Sequence, residues 1–278
     1  MSQIIMVIHA GEFNGAITNF VDTFQNIKLH NPNVKLFVLH DRRRIVTNFQ
    51  ADLPSMNDVS YVPFSVKFLR IVVECADSLI IDKQVMLDLI ANDLKPQSSR
   101  ITLLYPSLIC EVFGFSSATI QQIEFFLKTN NVIVVGNEFN RKILSPMVNY
   151  VPWLLKFSEQ RLTNLSQRVP TRGVFTTKTY TKLKTTDDRV DAFDFAEYHY
   201  SRREVCPGVF FENIGKLVFE FAVLGRKVTY SPANKQYFDG LSEYFTELGV
   251  TDDTPFTVNV DASRFIGPDD VVREILSR

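Results

Sequence analysis

The most informative part of the sequence is residues 211–230, which read FENIGKLVFEFAVLGRKVTY. From Leu217 to Leu224 the apolar residues recur at helical spacing, which predicts an amphipathic helix that begins near Asn213. Gly225 suits the position just after the last helical turn. The β-branched and aromatic residues from Lys227 to Tyr230 predict a strand. The stretch therefore predicts a loop, a helix, a tight turn and a strand in succession.

The start of this helix is chemically suited to a phosphate group. The first N–H groups of a helix have no partner within it and carry partial positive charge. Asn213, Ile214 and Gly215 are therefore candidates to present amides to a phosphate. Glu212 precedes the helix, and Glu220 lies within the helix, eight residues after Glu212. That spacing is about 12 Å along the helix axis at about 1.5 Å per residue. Two carboxylates so placed suit the hydroxyls at the two ends of a nucleotide sugar, although two solvated glutamates on an ordinary helix are the competing interpretation.

Outside this stretch, short apolar strands alternate with amphipathic helices along the chain. The alternation begins at Ile4–His9 and predicts a doubly wound parallel sheet in residues 1–155. It pauses near residues 151–171, so we place a second, shorter domain at residues 156–278. The predicted fold class is therefore α/β, with two Rossmann-like domains of which the second is short. In that second domain we predict helices near residues 190–199, with His199 at the helix end, and near 235–248.

The composition sets limits on the class of protein. Of the 278 residues, 45% are hydrophobic and 22% are charged, which is enough apolar material for real cores. The net charge of −1 gives no general attraction to nucleic acid or membranes, so such contacts would need a local patch. Cys75, Cys110 and Cys206 match neither a zinc site nor a redox pair, and we expect buried thiols in a reducing compartment. No apolar run reaches the ~20 residues of a membrane span, so we expect a cytoplasmic protein.

Residues 211–230 resemble the Glu-x7-Glu signature of retaining glycosyltransferases with the GT-B fold, which consists of two facing Rossmann-like domains. The positions that carry the resemblance are Glu212, Gly215, Glu220, Gly225 and Val228. The resemblance implies that Glu212 contacts the donor sugar and that Glu220 contacts the ribose of the nucleotide. It also implies a nucleotide sugar, in our prediction a UDP-sugar, as co-substrate, and no covalently bound cofactor. No Asp-x-Asp motif is evident, so no metal requirement is predicted.

Further donor-site residues follow from the same resemblance. The loop that contains Gly11 and Gly15 corresponds to the family's glycine-rich loop, which faces the donor diphosphate and sugar, although a plain tight turn is an equal alternative. The family often places an Arg and a Lys on the donor diphosphate at the start of the second domain. Arg172 is the candidate there for donor binding, and Lys178 and Lys182 are, with Glu212, the candidate catalytic residues. No His lies near Ser107, where many members have one. Retaining enzymes of this type need no protein nucleophile, since the donor phosphate can accept the acceptor's proton.

The first half also resembles the phage α-glucosyltransferases that modify 5-hydroxymethylcytosine in DNA. The matching segments are residues 15–20, 77–81 and 138–144. This resemblance implies double-stranded DNA as acceptor, reached by base flipping, and the cytoplasm of a phage host as location. The candidate acceptor-binding residues are Arg42, Arg43, Arg44, Ser107, Arg141 and Lys142. His9 and His40 end two strands on the same side, and we interpret both as strand-end packing.

Two alternatives stay open. One is a glycosyltransferase that acts on a glycan or on a lipid-linked acceptor, although the sequence contains no convincing basic amphipathic helix for a membrane surface. The other is a non-catalytic binding protein on the same two-domain scaffold, which the short second domain and the missing His near Ser107 would suit.

Overall fold

The computed structural model describes residues 3–9, 15–40, 59–98, 100–104, 117–136, 149–152, 157, 159–176, 191–201, 204–206, 209–210, 216–235, 245–248, 256–265 and 270–277. The strands in these ranges are β1 (Ile4–His9), β2 (Lys35–His40), β3 (Val59–Pro63), β4 (Ser78–Ile81), β5 (Arg100–Leu104), β6 (Ile133–Gly136), β7 (Asn149–Pro152), β8 (Arg172–Thr176), β9 (Phe195–Tyr200), β10 (Glu204–Cys206), β11 (Val209–Phe210), β12 (Lys227–Tyr230), β13 (Phe245–Leu248) and β14 (Phe256–Val260). The α-helices are α1 (Gly15–His30), α2 (Val66–Cys75), α3 (Lys83–Ala91), α4 (Ser117–Thr129), α5 (Glu159–Ser166), α6 (Lys216–Val223) and α7 (Asp270–Ser277). Short 3-10 turns span Ala192–Asp194, Pro232–Asn234 and Ala262–Phe265.

The chain divides into two units. The first contains Met1–Trp153 together with Asp270–Arg278, and the second contains Leu154–Asp269. Helix α7 therefore belongs with the first unit, although it lies at the far end of the sequence. The predicted boundary between residues 155 and 156 stays a prediction, because residues 153–156 lie outside the described ranges.

The first unit is built on a parallel sheet with the strand order β3-β2-β1-β4-β5-β6-β7. The first six strands of this order have the arrangement of a doubly wound Rossmann sheet. Both faces are covered, since Ile4, Met6 and Ile8 of β1 join one apolar cluster and Ile5 and Val7 join the other. The first cluster includes residues of α1 and α7, and the second includes residues of α2, α3 and α4. A continuous apolar strand is what such two-sided burial requires.

A side-chain cap and two left-handed residues define helix ends in this unit. The Phe68 N–H donates to Ser65 Oγ at 3.1 Å, and this side chain caps α2. Helices α3 and α4 end at residues with positive φ, Asp93 at 48° and Asn131 at 46°. In each case the next residue donates its N–H back to the carbonyl five positions earlier, at 2.9 Å, which is the Schellman arrangement. Cys75 at the end of α2 is exposed, so the prediction of buried thiols is wrong for this cysteine.

The second unit has a mixed sheet with the order β13-β14-β12-β9-β8. Strands β8, β9 and β12 are parallel, whereas β14 pairs antiparallel with β12 and β13 pairs antiparallel with β14. Strands β10 and β11 form a separate antiparallel pair. The predicted fold class, α/β with two Rossmann-like domains and a short second one, is confirmed, with this antiparallel edge as an added feature.

Two helices predicted in the second unit are wrong. Residues 195–200 form β9, which pairs with β8 and β12, and residues 245–248 form β13. In β9 the buried side chains Tyr198 and Tyr200 are two residues apart, which is strand spacing. Phe195 lies three residues before Tyr198 and is also buried. That three-residue spacing imitates a helix in the sequence, but pairing with neighbouring strands overrides it.

Candidate functional site

The carboxyl ends of β1 and β4 meet at the point where the strand order of the first unit reverses. Ligands of doubly wound sheets bind in the crevice at such a point. His9 is the last residue of β1, and Asp82 follows β4 and caps α3. The Asp82 carboxylate accepts the Val85 N–H at 2.9 Å and the His9 N–H at 3.3 Å, and the Asp82 N–H donates to the Val7 carbonyl at 3.3 Å. Asp82 therefore ties the end of β1 to the start of α3.

The His9 imidazole is held in one orientation. Its Nδ1 lies 2.6 Å from Oδ2 of Asp88 on α3, and the two side chains are only 15% and 14% exposed. The ring also stacks on Phe64, with centroids 4.5 Å apart and planes 9° from parallel. Gln84 Nε2 donates to the other oxygen of Asp88 at 3.2 Å. Because Nδ1 donates to Asp88, the neutral ring presents Nε2 as a proton acceptor.

Burial perturbs the carboxyl group beside this pair. The pKa of Asp82 is raised from 3.8 to about 6, chiefly by desolvation and to a smaller extent by the negative charge of Asp88. The N–H groups of Val85 and His9 and the charge of His9 act in the opposite direction without offsetting the burial. A titratable cluster of this kind in a sheet crevice is a candidate for chemistry. The interpretation of His9 as strand-end packing accounts for its stack on Phe64 but misses its bond to Asp88.

In the second unit, helix α6 carries Glu220, the second acid of the signature. This residue is 2% exposed. Arg161 on α5 donates to one oxygen of its carboxylate, Oε1, from Nε at 2.9 Å and from Nη2 at 2.6 Å. A buried carboxylate is costly unless it is paired. Arg161 is the partner that makes a carboxylate tolerable at this buried position. Arg161 was not among the predicted site residues, and it lies 59 residues from Glu220 in the chain.

The end of α6 has the predicted geometry. Gly225 has a φ of 69°. The Gly225 N–H donates to the Ala222 carbonyl at 3.0 Å, and the Arg226 N–H donates to the Phe221 carbonyl at 2.9 Å. This is a Schellman end with glycine at its left-handed position, and the chain then enters β12 as predicted. The predicted helix start near Asn213 lies outside the described residues.

The Arg226 side chain fixes this helix end to the sheet. Its Nη1 donates to the carbonyls of Phe193 and Phe195 at 2.7 and 3.0 Å, and its Nη2 donates to the Arg168 carbonyl at 2.9 Å. The guanidinium also lies over the rings of Phe193 and Phe221, at 6.0 and 5.6 Å. Burial lowers the pKa of Arg226, and the charge of Arg168 adds to this effect. Arg226 is therefore a structural residue that joins α6 to β9.

Three further predicted residues fall within the described ranges. Arg172 begins β8, is exposed, and places its guanidinium 5.6 Å from the centre of the Phe195 ring. Gly15 begins α1. His199 lies inside β9 and not at a helix end, with Nδ1 2.8 Å from the Thr229 hydroxyl. The remaining predicted site residues lie outside the described ranges, and their roles stay predictions: Gly11, Arg42, Arg43, Arg44, Ser107, Arg141, Lys142, Lys178, Lys182, Glu212, Asn213, Ile214 and Gly215.

None of the described helices combines the length and the apolar character that a membrane span needs. Among the described side chains, no group of three or more His, Cys, Asp or Glu is arranged to hold a metal ion.

Comparisons with known proteins found only a distant likeness, among the solved structures. No protein-family model matches the sequence, and no curated protein matches it either. Arabidopsis thaliana UGT89C1, solved in complex with UDP-L-rhamnose, aligns with 100% of this chain over 89% of its own length. The identity is 11% and the TM-score is 0.42. A likeness this distant is too weak to carry a conclusion about activity.

Proposed function

We propose that this protein is a glycosyltransferase that moves a sugar from a nucleotide-diphosphate sugar, a UDP-sugar, to a hydroxyl group. The observation that carries the proposal is the local structure of the signature. Helix α6, its glycine end at Gly225 and strand β12 follow one another as the signature requires. Glu220 on this helix is buried and ion-paired, not solvated as the competing interpretation of an ordinary amphipathic helix would have it.

On the donor side, the proposal assigns the reacting sugar to Glu212, beside the start of the signature helix. The backbone N–H groups of Asn213, Ile214 and Gly215 receive the diphosphate, where a helix start favours negative charge. The other residues that the proposal assigns to the donor site are Gly11, Gly15, Arg172, Lys178, Lys182 and Glu220. Charge stabilisation of the leaving diphosphate by such groups is a main source of rate enhancement in this chemistry.

The destination of the acceptor proton distinguishes two mechanisms. The signature implies retention, in which the donor phosphate takes the proton on the same face of the sugar. The His9–Asp88 pair supports an alternative in which His9 Nε2 takes the proton, as in other sites where a carboxylate orients a histidine base. An attack assisted from the face opposite the leaving group would give inversion. The anomeric configuration of the product therefore separates the two.

The acceptor in this proposal is 5-hydroxymethylcytosine in double-stranded DNA. The support is the resemblance of residues 15–20, 77–81 and 138–144 to phage enzymes, together with the basic run at residues 42–44. Arginine forks match phosphate oxygens, so a local patch suffices despite the net charge of −1. An acceptor of this kind places the enzyme in the cytoplasm of a phage host. A glycan or lipid-linked acceptor and a non-catalytic binding role are the alternatives.

Transfer is tested with UDP-sugars and duplex DNA that contains either cytosine or 5-hydroxymethylcytosine, with the product analysed by mass spectrometry. We expect a sugar adduct only on the modified duplex. An adduct on neither duplex, with UDP still bound in calorimetry, would favour a glycan acceptor. Absence of binding to any nucleoside diphosphate would refute the glycosyltransferase proposal and favour a non-catalytic protein.

Two variants test the assigned roles in the same assay. Glu212→Ala should slow transfer while UDP still binds, because Glu212 is assigned to the sugar. Asp88→Asn should slow transfer by about 10²- to 10⁴-fold if His9 is the base, since the histidine loses its orienting carboxylate. Glu74→Ala, at an exposed position on α2, is the control and should behave as wild type. Full activity of Asp88→Asn would favour the mechanism in which the donor phosphate takes the proton.

A further inference from the structure

Helices α3 and α4 of the first unit are in contact, and a pocket of about 260 Å³ lies between them. Among its lining residues, Leu89, Leu94 and Phe126 are buried, whereas the Phe125 side chain is 69% exposed. We propose that this pocket is the centre of a two-fold interface between two copies of this chain, in which Phe125 of each copy inserts into the pocket of the other. The inference does not depend on the proposed activity.

The position of the pocket in the first unit keeps it apart from the candidate site. Its lining residues come from the second half of α3, from the segment that leads into β5, and from the second half of α4. These helix ends lead into the amino ends of β5 and β6. The crevice that contains His9 and Asp82 lies at the opposite edge of the sheet, where the strands have their carboxyl ends. An interface at the pocket therefore leaves that crevice open.

The exposure of Phe125 is informative because of where its ring lies. A single exposed apolar residue is common on protein surfaces and indicates nothing by itself. Ile71 on α2 is such a residue, 50% exposed and not part of the pocket lining. Phe125 instead lines a recess that contains buried apolar side chains. The same surface therefore offers an exposed ring and an apolar recess beside it.

The size of the pocket favours a protein side chain as its occupant. Pockets that bind small-molecule ligands usually enclose about 300–1,000 Å³, and this one is smaller, at about 260 Å³. A volume of this order accommodates a single aromatic ring. Aromatic side chains are enriched in protein interfaces, and those that fill pockets near the interface centre contribute most to affinity.

Self-complementarity identifies the partner as a second copy. A two-fold interface uses the same surface on both subunits, so that surface must contain both the inserting group and the recess that receives it. Asp93 and Lys95, both exposed, also line the pocket, and their formal charges cancel. Two copies can therefore approach without net repulsion, and each offers an acid and a base to the other. A strongly acidic or basic partner would find no matching charge here.

Sedimentation equilibrium of the full chain measures the association. We expect wild type to form a dimer in equilibrium with the monomer. Phe125→Ser should raise the Kd of the dimer at least about 30-fold, as for a residue at an interface centre. Ile71→Ser is the matched control, since it removes another exposed apolar side chain of the same unit, and it should leave the Kd unchanged. In urea unfolding, the wild-type midpoint should rise with protein concentration, whereas that of Phe125→Ser should not.

A second variant tests insertion into the pocket separately from general apolar attraction. Gln122 is exposed and lines the pocket. In Gln122→Trp, the indole of the same chain occupies the recess, so the Kd of the dimer should rise although the variant adds apolar surface. Stronger association of Gln122→Trp would overturn the insertion of Phe125.

A third variant tests the balance of charge. Lys95→Glu leaves two acids beside each pocket, so two copies should repel one another, and more strongly at low salt. Adding Asp93→Asn should restore part of the lost affinity, and asparagine tolerates the positive φ of 48° at this position. An unchanged Kd in Lys95→Glu would contradict the proposed contact.

Two results would assign the pocket differently. A wild-type protein that stays monomeric at millimolar concentration would overturn the proposal, and so would an association that Phe125→Ser leaves intact. If the monomeric wild type binds phenol in calorimetry and Gln122→Trp does not, the pocket is a site for a small aromatic ligand and not for a second copy.

Discussion

Asp82→Asn tests how burial acts on the cluster at the carboxyl end of β4. The pKa of Asp82 is raised from 3.8 to about 6 by burial, so the folded first unit favours the protonated carboxyl group. Its contribution to stability is complete below pH 3.8 and is lost as the pH rises through about 6. The shift corresponds to about 3 kcal/mol at about 1.36 kcal/mol per pKa unit. Because Asp82 is only partly buried, this figure is an upper limit.

Asparagine cannot ionise, yet its Oδ1 can accept the same two N–H groups. We therefore expect Asp82→Asn to match wild type at pH ~4 and to be more stable at pH ~7.5, by up to about 3 kcal/mol. Urea unfolding at the two pH values measures the difference in stability between the variant and wild type. Hydrogen exchange at β1 and β4 shows whether the effect is local to Asp82. Asp93→Asn, at an exposed position, is the control and should show no such pH-dependent gain.

One result would refute the reasoning about Asp82. If the variant is less stable than wild type at pH ~7.5, the ionised carboxylate is favourable at the start of α3, and its interaction with the helix dipole outweighs its burial. An identical pH dependence in the variant and in wild type would show that another group titrates in this window.

Three more predictions concern the second unit, each measured by urea unfolding. Gly225→Ala should lower the free energy of unfolding by about 1–2 kcal/mol because Gly225 has a left-handed backbone. Gly173→Ala is the control and should be nearly neutral. An added Cβ meets nothing within 4 Å at either glycine, but of the two only Gly225 has a positive φ. Arg226→Met keeps the packing stem but removes three bonds to carbonyls, and should cost about 2–4 kcal/mol. Burial lowers the pKa of His199, so wild type should lose stability as the pH falls below 6.5 and His199→Gln should lose less. Equal losses for both glycine variants, a neutral Arg226→Met, or an unchanged acid sensitivity in His199→Gln would contradict these expectations.

The parts of the fold that the sequence predicts well are those set by short-range chemistry. The apolar run Ile4–His9 predicts a buried parallel strand, and β1 lies inside the seven-stranded sheet, paired with β2 and β4. Gly225 predicts a helix end, and the structure has one there, with a φ of 69°. In both cases the residues that decide the outcome are neighbours in the chain, so no distant partner is needed to predict it.

The candidate site is where prediction from sequence reaches its limit. His9 and Asp88 are 79 residues apart, and no motif connects them. The one available clue is that His9 ends a strand on the side where ligands of such sheets bind. Arg161 and Glu220 are 59 residues apart, and the signature that singles out Glu220 says nothing about its partner. Contacts between helices and strand ends depend on the whole sheet topology.

Reading along the chain was enough to predict the alternating strands and helices of the first unit, and the helix, turn and strand from Lys216 to Tyr230. These features follow from hydrophobic periodicity and backbone preference, which act over a few residues. The three-dimensional structure was needed to show that residues 195–200 form a strand, that α7 belongs with the first unit, and that the buried Glu220 is paired with Arg161. Strand pairing and the burial of charge depend on partners far away in the chain, and the energies of these long-range contacts outweigh local preference.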